Sequence, residues 1–338
     1  MVKNFLRFAW RKIVPSMIRN FLFDIRTPRF ERKSFGNKNP NKKFLILGKG
    51  FSMDMGLFAI ICGVVMNIRY CLEHNIILVV DLQNNDNQYL DGLGIGKENS
   101  WEYFFEQPFG YNLEQIKDCK NILFSKRIRL FNPFFYIFYS KFKSFEIFSF
   151  DKNLALLQDL KNDFKQYIRF NETVKNYVNS EYERIFKGKE RVLGVLARGT
   201  DYLLKKPKYH RVQPEPNLIL EKSKQTMHNC KCDYVYLATE DENIYKLFKD
   251  NFGDKLLVNS QKRIDLNKIN LGEDELLHSV DFGRKRDKYN LALEYLSSLY
   301  NLSKCQCFVG GVTAGTAGIF LMTEGFEYQY LFDLGYYP

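Results

Sequence analysis

The sequence predicts an α/β protein whose second half is a doubly wound, Rossmann-like domain. Three observations carry this. Short apolar runs alternate with longer stretches of helical periodicity, which is the pattern of parallel strands joined by crossover helices. Several of those runs stop abruptly at polar or glycine-rich residues, as strands do at the carboxyl edge of an open sheet, where such sheets bind ligands. Finally, 338 residues exceed one typical core, so two domains of ordinary size are expected.

The first forty residues are a basic arm. They hold ten Lys/Arg against two acids, a net of +8, so the rest of the chain carries only +3 of the formal +11. Charge concentrated in an arm argues against a nucleic-acid-binding body. Lys3, Arg7 and Arg11 fall on one side of a helix, and Leu6, Ala9, Trp10, Ile13 and Met17 on another, which suits an anionic bilayer surface. Pro15 interrupts that helix, and a basic arm packed on the body or left disordered is the equal alternative. No apolar run precedes a small-residue cleavage site, and the longest uncharged candidate, Met55 to Ile68, is too short to span a bilayer. A cytoplasmic protein, peripheral on the membrane if the arm binds it, is the expectation.

The body begins at residue 41. Phe44 to Leu47 reads as a strand, followed by a loop from Gly48 to Gly56, an apolar helix ending near Asn75 and a strand from Ile76 to Asp81. This βαβ unit implies a parallel sheet. The loop has neither the G-x-G-x-x-G order nor the Lys-Ser/Thr of a P-loop. Residues 82–112 are polar and rich in turns. From Phe131 to Phe150 ten of twenty residues are aromatic, which suits core or interdomain packing and, as the alternative, a grip on a lipid-linked acceptor. Residues 153–187 read as helical, which closes a first domain over 41–187.

The second domain, 188–338, is more regular. Strands are expected at Val192 to Ala197, Tyr234 to Ala238, Lys255 to Val258, Cys307 to Val309 and Tyr328 to Phe332. Helices are expected at Pro214 to His228, Glu242 to Asn251, Asp287 to Leu302 and from the turn GGVTAGTAG through Met322. Pro214 and Pro216 suit a helix entry, where a missing N–H does no harm. The seven cysteines fit no disulfide framework, and neither C-x-C pair (Cys230 and Cys232, Cys305 and Cys307) has a neighbouring ligand at zinc spacing.

Three of these strand ends carry chemistry. The first is Arg198-Gly199-Thr200-Asp201, where a planar guanidinium matches a phosphate and glycine admits a ligand to the backbone. The second is Thr239-Glu240-Asp241, whose acids suit a ribose or a base edge, or simply cap a helix. The third runs from Gly310 through Gly311, Thr313, Ala314, Gly315 and Thr316 into a helix. Small residues there expose N–H groups to an anion at the positive end of the helix dipole, and the threonines add hydroxyls. Together on one rim they suit a nucleotide diphosphate. The basic run Arg284-Lys285-Arg286 is either a further phosphate contact, through Arg286, or a solvated face.

Arg-Gly-Thr-Asp after one strand, Thr-Glu-Asp-Glu-Asn-Ile after another and a Gly/Thr-rich strand–helix turn resemble, in this order, the three short motifs of the fucosyltransferase superfamily. GLFAIICGVVMNIRYCLEHNIILVVD and NSWEYFFEQPFGY resemble its bacterial surface-polysaccharide members. The resemblance spans residues 42–338 and is strongest from 192 to 332. It implies a GT-B enzyme of two Rossmann-like domains facing each other across a cleft, with the donor in the second and the acceptor between them. It further implies an inverting, metal-independent transfer of fucose from GDP-fucose to a glycan or lipid-linked glycan. Arg198 matches the arginine that neutralises the donor's β-phosphate, Asp201 the acid of the same motif, Asp241 the second motif, and Thr313 to Ala317 the third. One departure stands out: the usual histidine two residues before the arginine is Leu196 here.

No D-x-D motif of the metal-dependent kind stands out, and a basic side chain can stabilise a leaving diphosphate where a divalent ion otherwise would. Inversion needs a general base. The candidates are Asp201, His210 in KKPKYHRVQP, and Asp54 in the first loop. The alternatives to this reading are a transferase for another nucleotide-linked sugar, such as a GDP-heptose, and a non-catalytic binder of nucleotide or polysaccharide with the same fold.

Overall fold

A computed structural model of the chain describes residues 30–49, 51, 55–91, 94–125, 154–199, 206, 210–265 and 280–337. The expectations for the arm before residue 30 and for the aromatic stretch Phe131 to Phe150 lie outside them. Among the described residues no helix is long and apolar enough to cross a membrane.

The first sheet has four strands, β1 (Phe30–Lys33), β2 (Phe44–Leu47), β3 (Ile77–Val80) and β4 (Ile122–Ser125), in the order β1-β4-β2-β3. β2 runs parallel to β3 and β4, and β1 closes the edge antiparallel to β4. Helix α1 (Leu57–Glu73) makes the crossover from β2 to β3, as the βαβ reading expects. It is apolar on nearly every side because the first sheet and helices of the second half cover it. β1 falls within the residues assigned to the basic arm, and β4 and the short helix α2 (Leu113–Ile116) carried too little periodicity to be anticipated.

The polar stretch after β3 is structured by side-chain amides. β3 is an edge strand, and its backbone finds partners in buried residues rather than in another strand. Gln107 accepts from Val80 N–H and donates to the Val80 carbonyl, each at 2.9 Å, while Asn99 donates to the same carbonyl at 2.7 Å.

The helical stretch expected over 153–187 is two helices, α3 (Leu154–Tyr167) and α4 (Glu172–Phe186). The break belongs to Asn171. Its side chain accepts from Val174 N–H at 3.0 Å, capping α4, and donates to the carbonyls of Glu102 and Tyr103.

The second sheet is wholly parallel. Its strands are β5 (Val192–Leu196), β6 (Tyr234–Ala238), β7 (Leu256–Leu257), β8 (Cys307–Gly311) and β9 (Tyr328–Phe332), in the order β7-β6-β5-β8-β9. Helices α5 (Pro216–Asn229) and α6 (Glu242–Phe252) cover one face, where Leu193, Val195, Val235, Leu237 and Val309 pack with Ile219, Ile244 and Phe248. Helices α7 (Asp287–Leu302) and α8 (Ala314–Met322) cover the other, where Leu196, Tyr236 and Phe308 meet Leu296, Leu299 and Phe320. Beyond shifts of one or two residues at other ends, two details differ from expectation. Lys255 is taken by a 3-10 turn, Gly253–Lys255, which shortens β7, and Gly310 and Gly311 extend β8 rather than opening the turn.

This is the two-sheet α/β architecture that the sequence leads one to expect. A continuous apolar cluster joins its halves: Phe58 of α1 packs on Gly318 of α8, and Phe104 stacks on Tyr289 of α7 at 5.4 Å between ring centres.

Candidate active site

The order of the second sheet decides where a ligand belongs. β5 has β6 on one side and β8 on the other, and the chain leaves for opposite faces on the two sides, so the switch point lies between β5 and β8. Register brings the three motif-bearing ends level: Leu196 pairs with Ala238 and with Gly310. Neighbouring strands lie about 4.8 Å apart, so the three ends fit within about 10 Å.

The first and second motifs pack directly on each other. Gly199 is buried, and its N–H donates to Glu240 Oε1 at 3.2 Å. A methyl group there would fall 2.7 Å from Asp241 Cβ and 2.8 Å from its Cγ, so glycine is required by the close approach. Asp241 serves as a helix cap: its Oδ1 accepts from Asn243 N–H at 2.8 Å and Ile244 N–H at 3.1 Å. Its own N–H donates to Thr239 Oγ1 at 3.2 Å. Thr239 and Asp241 are both buried. The segment after β7 returns across this motif, with Ile264 N–H donating to the Glu240 carbonyl at 2.8 Å. It brings Arg263, whose guanidinium lies 4.5 Å over the Tyr245 ring. Burial weakens the hold of that guanidinium on its proton.

The third motif is a capping box. Thr313 Oγ1 accepts from Thr316 N–H at 3.1 Å, and Thr316 Oγ1 accepts from Thr313 N–H at 3.2 Å. The Thr316 hydroxyl donates to the Gly311 carbonyl and is buried, so it is engaged in the turn rather than offered to a ligand. The next amides, Ala314 and Gly315, occupy the first two helical positions, where helix geometry provides no acceptor. Gly311 gives way to Gln213: a methyl group on it would sit 3.2 Å from Gln213 Cδ and closer still to Oε1. Gln213 is buried and donates to the Val312 and Arg211 carbonyls at 3.3 and 3.2 Å.

Arg198, half-buried, stands between these two ends. It is close enough to act electrostatically on Tyr89, a residue of the first half whose hydroxyl donates to the Met55 carbonyl at 3.3 Å. Burial, and then the Tyr295 hydroxyl, push the Tyr89 phenol well above its usual range, while the Leu57 backbone and Arg198 pull it back.

The remaining candidates are placed differently. His210 is exposed and belongs to a segment pinned to the end of the chain. Its carbonyl accepts from Tyr337 N–H at 2.9 Å, Arg211 pairs with Asp333, and the Arg211 guanidinium lies 4.3 Å over Tyr336. Arg286 is the left-handed residue before α7 (φ 55°), its guanidinium held 5.1 Å over Tyr103 and 4.5 Å over Tyr289. It clamps the first half to α7. Thr200, Asp201 and Asp54 lie outside the described residues.

Among the described residues no group of three His, Cys, Asp or Glu side chains is arranged to hold a metal ion. The two C-x-C pairs nonetheless converge at the opposite edge of the sheet, where the Cys230 and Cys232 thiols reach Cys307, and burial raises the Cys307 thiol far above its usual range. Tyr89, Gln213 and Arg263 were not foreseen. Isolated polar residues in turn-rich stretches leave no periodic trace.

An arginine, a helix start and two acids thus share the switch point of a parallel sheet, where open α/β sheets bind their ligands. No family model matches the chain, and no curated protein matches it. Among solved structures it is similar to the NodZ α-1,6-fucosyltransferase co-crystallized with GDP, with 14% identity, 83% of this chain and 93% of that one covered, and a TM-score of 0.48. It is also similar to a mutant of FUT1 from Arabidopsis thaliana in complex with GDP (11% identity, 98% and 78% covered, TM-score 0.48). A third is POFUT1 in complex with GDP (9% identity, 87% and 99% covered, TM-score 0.45).

Proposed function

We propose that this protein is a glycosyltransferase that moves a sugar, fucose from GDP-fucose, onto a glycan or lipid-linked glycan acceptor of surface-polysaccharide synthesis. The observation that carries the reading is the level register of β5, β6 and β8, which sets Arg198 between the acids after β6 and the start of α8. The order of the three motifs, which resembles that of fucosyltransferases, supports the same reading.

In the proposed reaction an acceptor hydroxyl attacks the anomeric carbon from the face opposite the diphosphate. The bond from that carbon to the β-phosphate oxygen breaks, and the nucleoside diphosphate leaves with the electron pair. In this reading Arg198 and the amides of Ala314 and Gly315 stabilise the negative charge that grows on the leaving diphosphate. They do without a divalent cation in this reading. The hydroxyl's proton passes to a base, for which Asp201 and Asp54 are the candidates. His210 is the weaker one, since it is exposed and tied to the chain terminus. The work is done at the cytoplasmic face of the membrane, with the basic arm as the contact.

The test is a thermal-shift panel of GDP, UDP, CDP and their sugars, with and without EDTA, on the wild type and Arg198→Ala. A shift with GDP and GDP-fucose, indifferent to EDTA and lost in Arg198→Ala, is expected. Full turnover with Arg198→Ala would refute the assignment. Retained turnover of another nucleotide sugar, but not GDP-fucose, would move the donor.

A further inference from the structure

Gly315 raises a question that its place in the third motif does not answer. It is the second residue of α8, where alanine would favour the helix by about 1 kcal/mol. Its φ lies in the ordinary range, so no turn demands it. What demands it is a side chain from another helix. A methyl group on Gly315 would lie 2.6 Å from the Tyr295 hydroxyl oxygen, 2.9 Å from Leu299 Cδ1 and 3.3 Å from Thr313 Oγ1. The glycine is the opening through which a phenol from α7 reaches the first turn of α8.

The phenol is fixed there by packing. The Tyr295 ring stands edge-on to Phe58 of α1, at 5.6 Å and 90°, so all three helices converge on it. The phenol oxygen thus lies on the same side of the first turn of α8 as the Thr313 hydroxyl. Thr316, expected to supply a hydroxyl, is engaged with the Gly311 carbonyl.

We propose that Tyr295 is a positioning residue for the nucleotide's terminal phosphate, donating its phenolic O–H to that phosphate beside the Gly315 amide. The inference rests on the diphosphate reading of the rim. A phenol is a donor with a rigid two-torsion reach, and a hydrogen bond to a charged oxygen is worth more than a neutral one.

The experiment is calorimetric titration of GDP and GMP into the full chain as wild type, Tyr295→Phe and Gly315→Ala. Tyr295→Phe removes one oxygen and leaves the ring in place. It is expected to weaken GDP about 10- to 100-fold and GMP by less than about threefold, with the melting temperature unchanged. Gly315→Ala, which displaces the hydroxyl, should reproduce the selective loss. Equal affinity of Tyr295→Phe and wild type for GDP would overturn the role of Tyr295 while leaving the diphosphate reading intact. Equal loss for GDP and GMP would overturn it too, because it would assign the phenol to the shape of the cleft. A wild type that binds no nucleoside diphosphate (GDP, UDP or CDP) would overturn both.

Discussion

Gly318→Ala tests whether the site end of α8 is held by the first half of the molecule. A methyl group on Gly318 would lie 2.9 Å from Phe58 Cγ and closer still to Cδ1 and Cε1. Ordinary carbon contacts begin near 3.4–4.0 Å. Phe58 is 1% exposed, and Tyr295 stands against its ring, so the ring has no room to swing away. The helices must separate, and overpacking of this kind costs about 1–3 kcal/mol. Alanine returns about 1 kcal/mol of helix propensity, which leaves a net loss of up to about 2 kcal/mol. At about 2.1 cal/mol/K per residue the whole chain melts with an entropy near 0.7 kcal/mol/K, so that loss lowers the melting temperature by about 3 °C.

The decisive measurement is a double-mutant cycle with Phe58→Ala, read by thermal melting. Phe58→Ala alone is costly, at about 3–5 kcal/mol. In its background the added methyl group fills vacated space, so Gly318→Ala should become neutral or stabilising. A coupling of about 1–3 kcal/mol is expected. Strict additivity, with the same loss in both backgrounds, would refute the claim that the ring and the glycine are one contact.

Two further outcomes follow from the same reasoning. Asp241→Ala should lower stability by about 1 kcal/mol through the lost cap of α6, whereas Asp241→Asn should melt like the wild type, because an amide oxygen can take the same two N–H bonds. If Asp241→Asn also loses nucleotide affinity, its carboxylate has a second task beyond capping. Glu181 governs part of the acid limb of stability. Burial raises its carboxyl, but the Arg184 ion pair and the Ser260 N–H and hydroxyl outweigh this, so its pKa lies below 4.5 in the folded chain. Its stabilisation is therefore present above pH 4.5 and is lost as pH falls through the lower folded value. Glu181→Gln should flatten the stability profile below that pH, and an unchanged acid limb in the variant would refute the assignment.

Much of the second half could be read directly from the sequence. The helix from Asp287 to Leu302 and the strands Tyr234–Ala238 and Tyr328–Phe332 have the expected bounds, because apolar periodicity and the residues that end it are local. The three polar strand ends were legible for the same reason: a run of buried residues followed by Arg-Gly or Gly-Gly is visible without a partner. β7 is shorter than its apolar run suggests, and the helical stretch over 153–187 is divided into two helices. In both places a turn or cap, set by Gly253 and by the contacts of Asn171 with Glu102 and Tyr103, overrides the local pattern.

Side-by-side placement is another matter. The residues alone marked Arg198, Glu240 and Thr313 as strand-end groups, but only the order β7-β6-β5-β8-β9 puts Arg198 between the other two. Gly315 read as a small residue exposing backbone, and it became the gap for Tyr295 only once α7 and α8 were packed together. The Thr316 hydroxyl, equally, was a donor by composition and is an internal strut by geometry. The physical reason is range. Hydrophobic period and turn chemistry act over a few residues, whereas which groups share an edge is settled by strand order and helix packing between segments far apart in the chain.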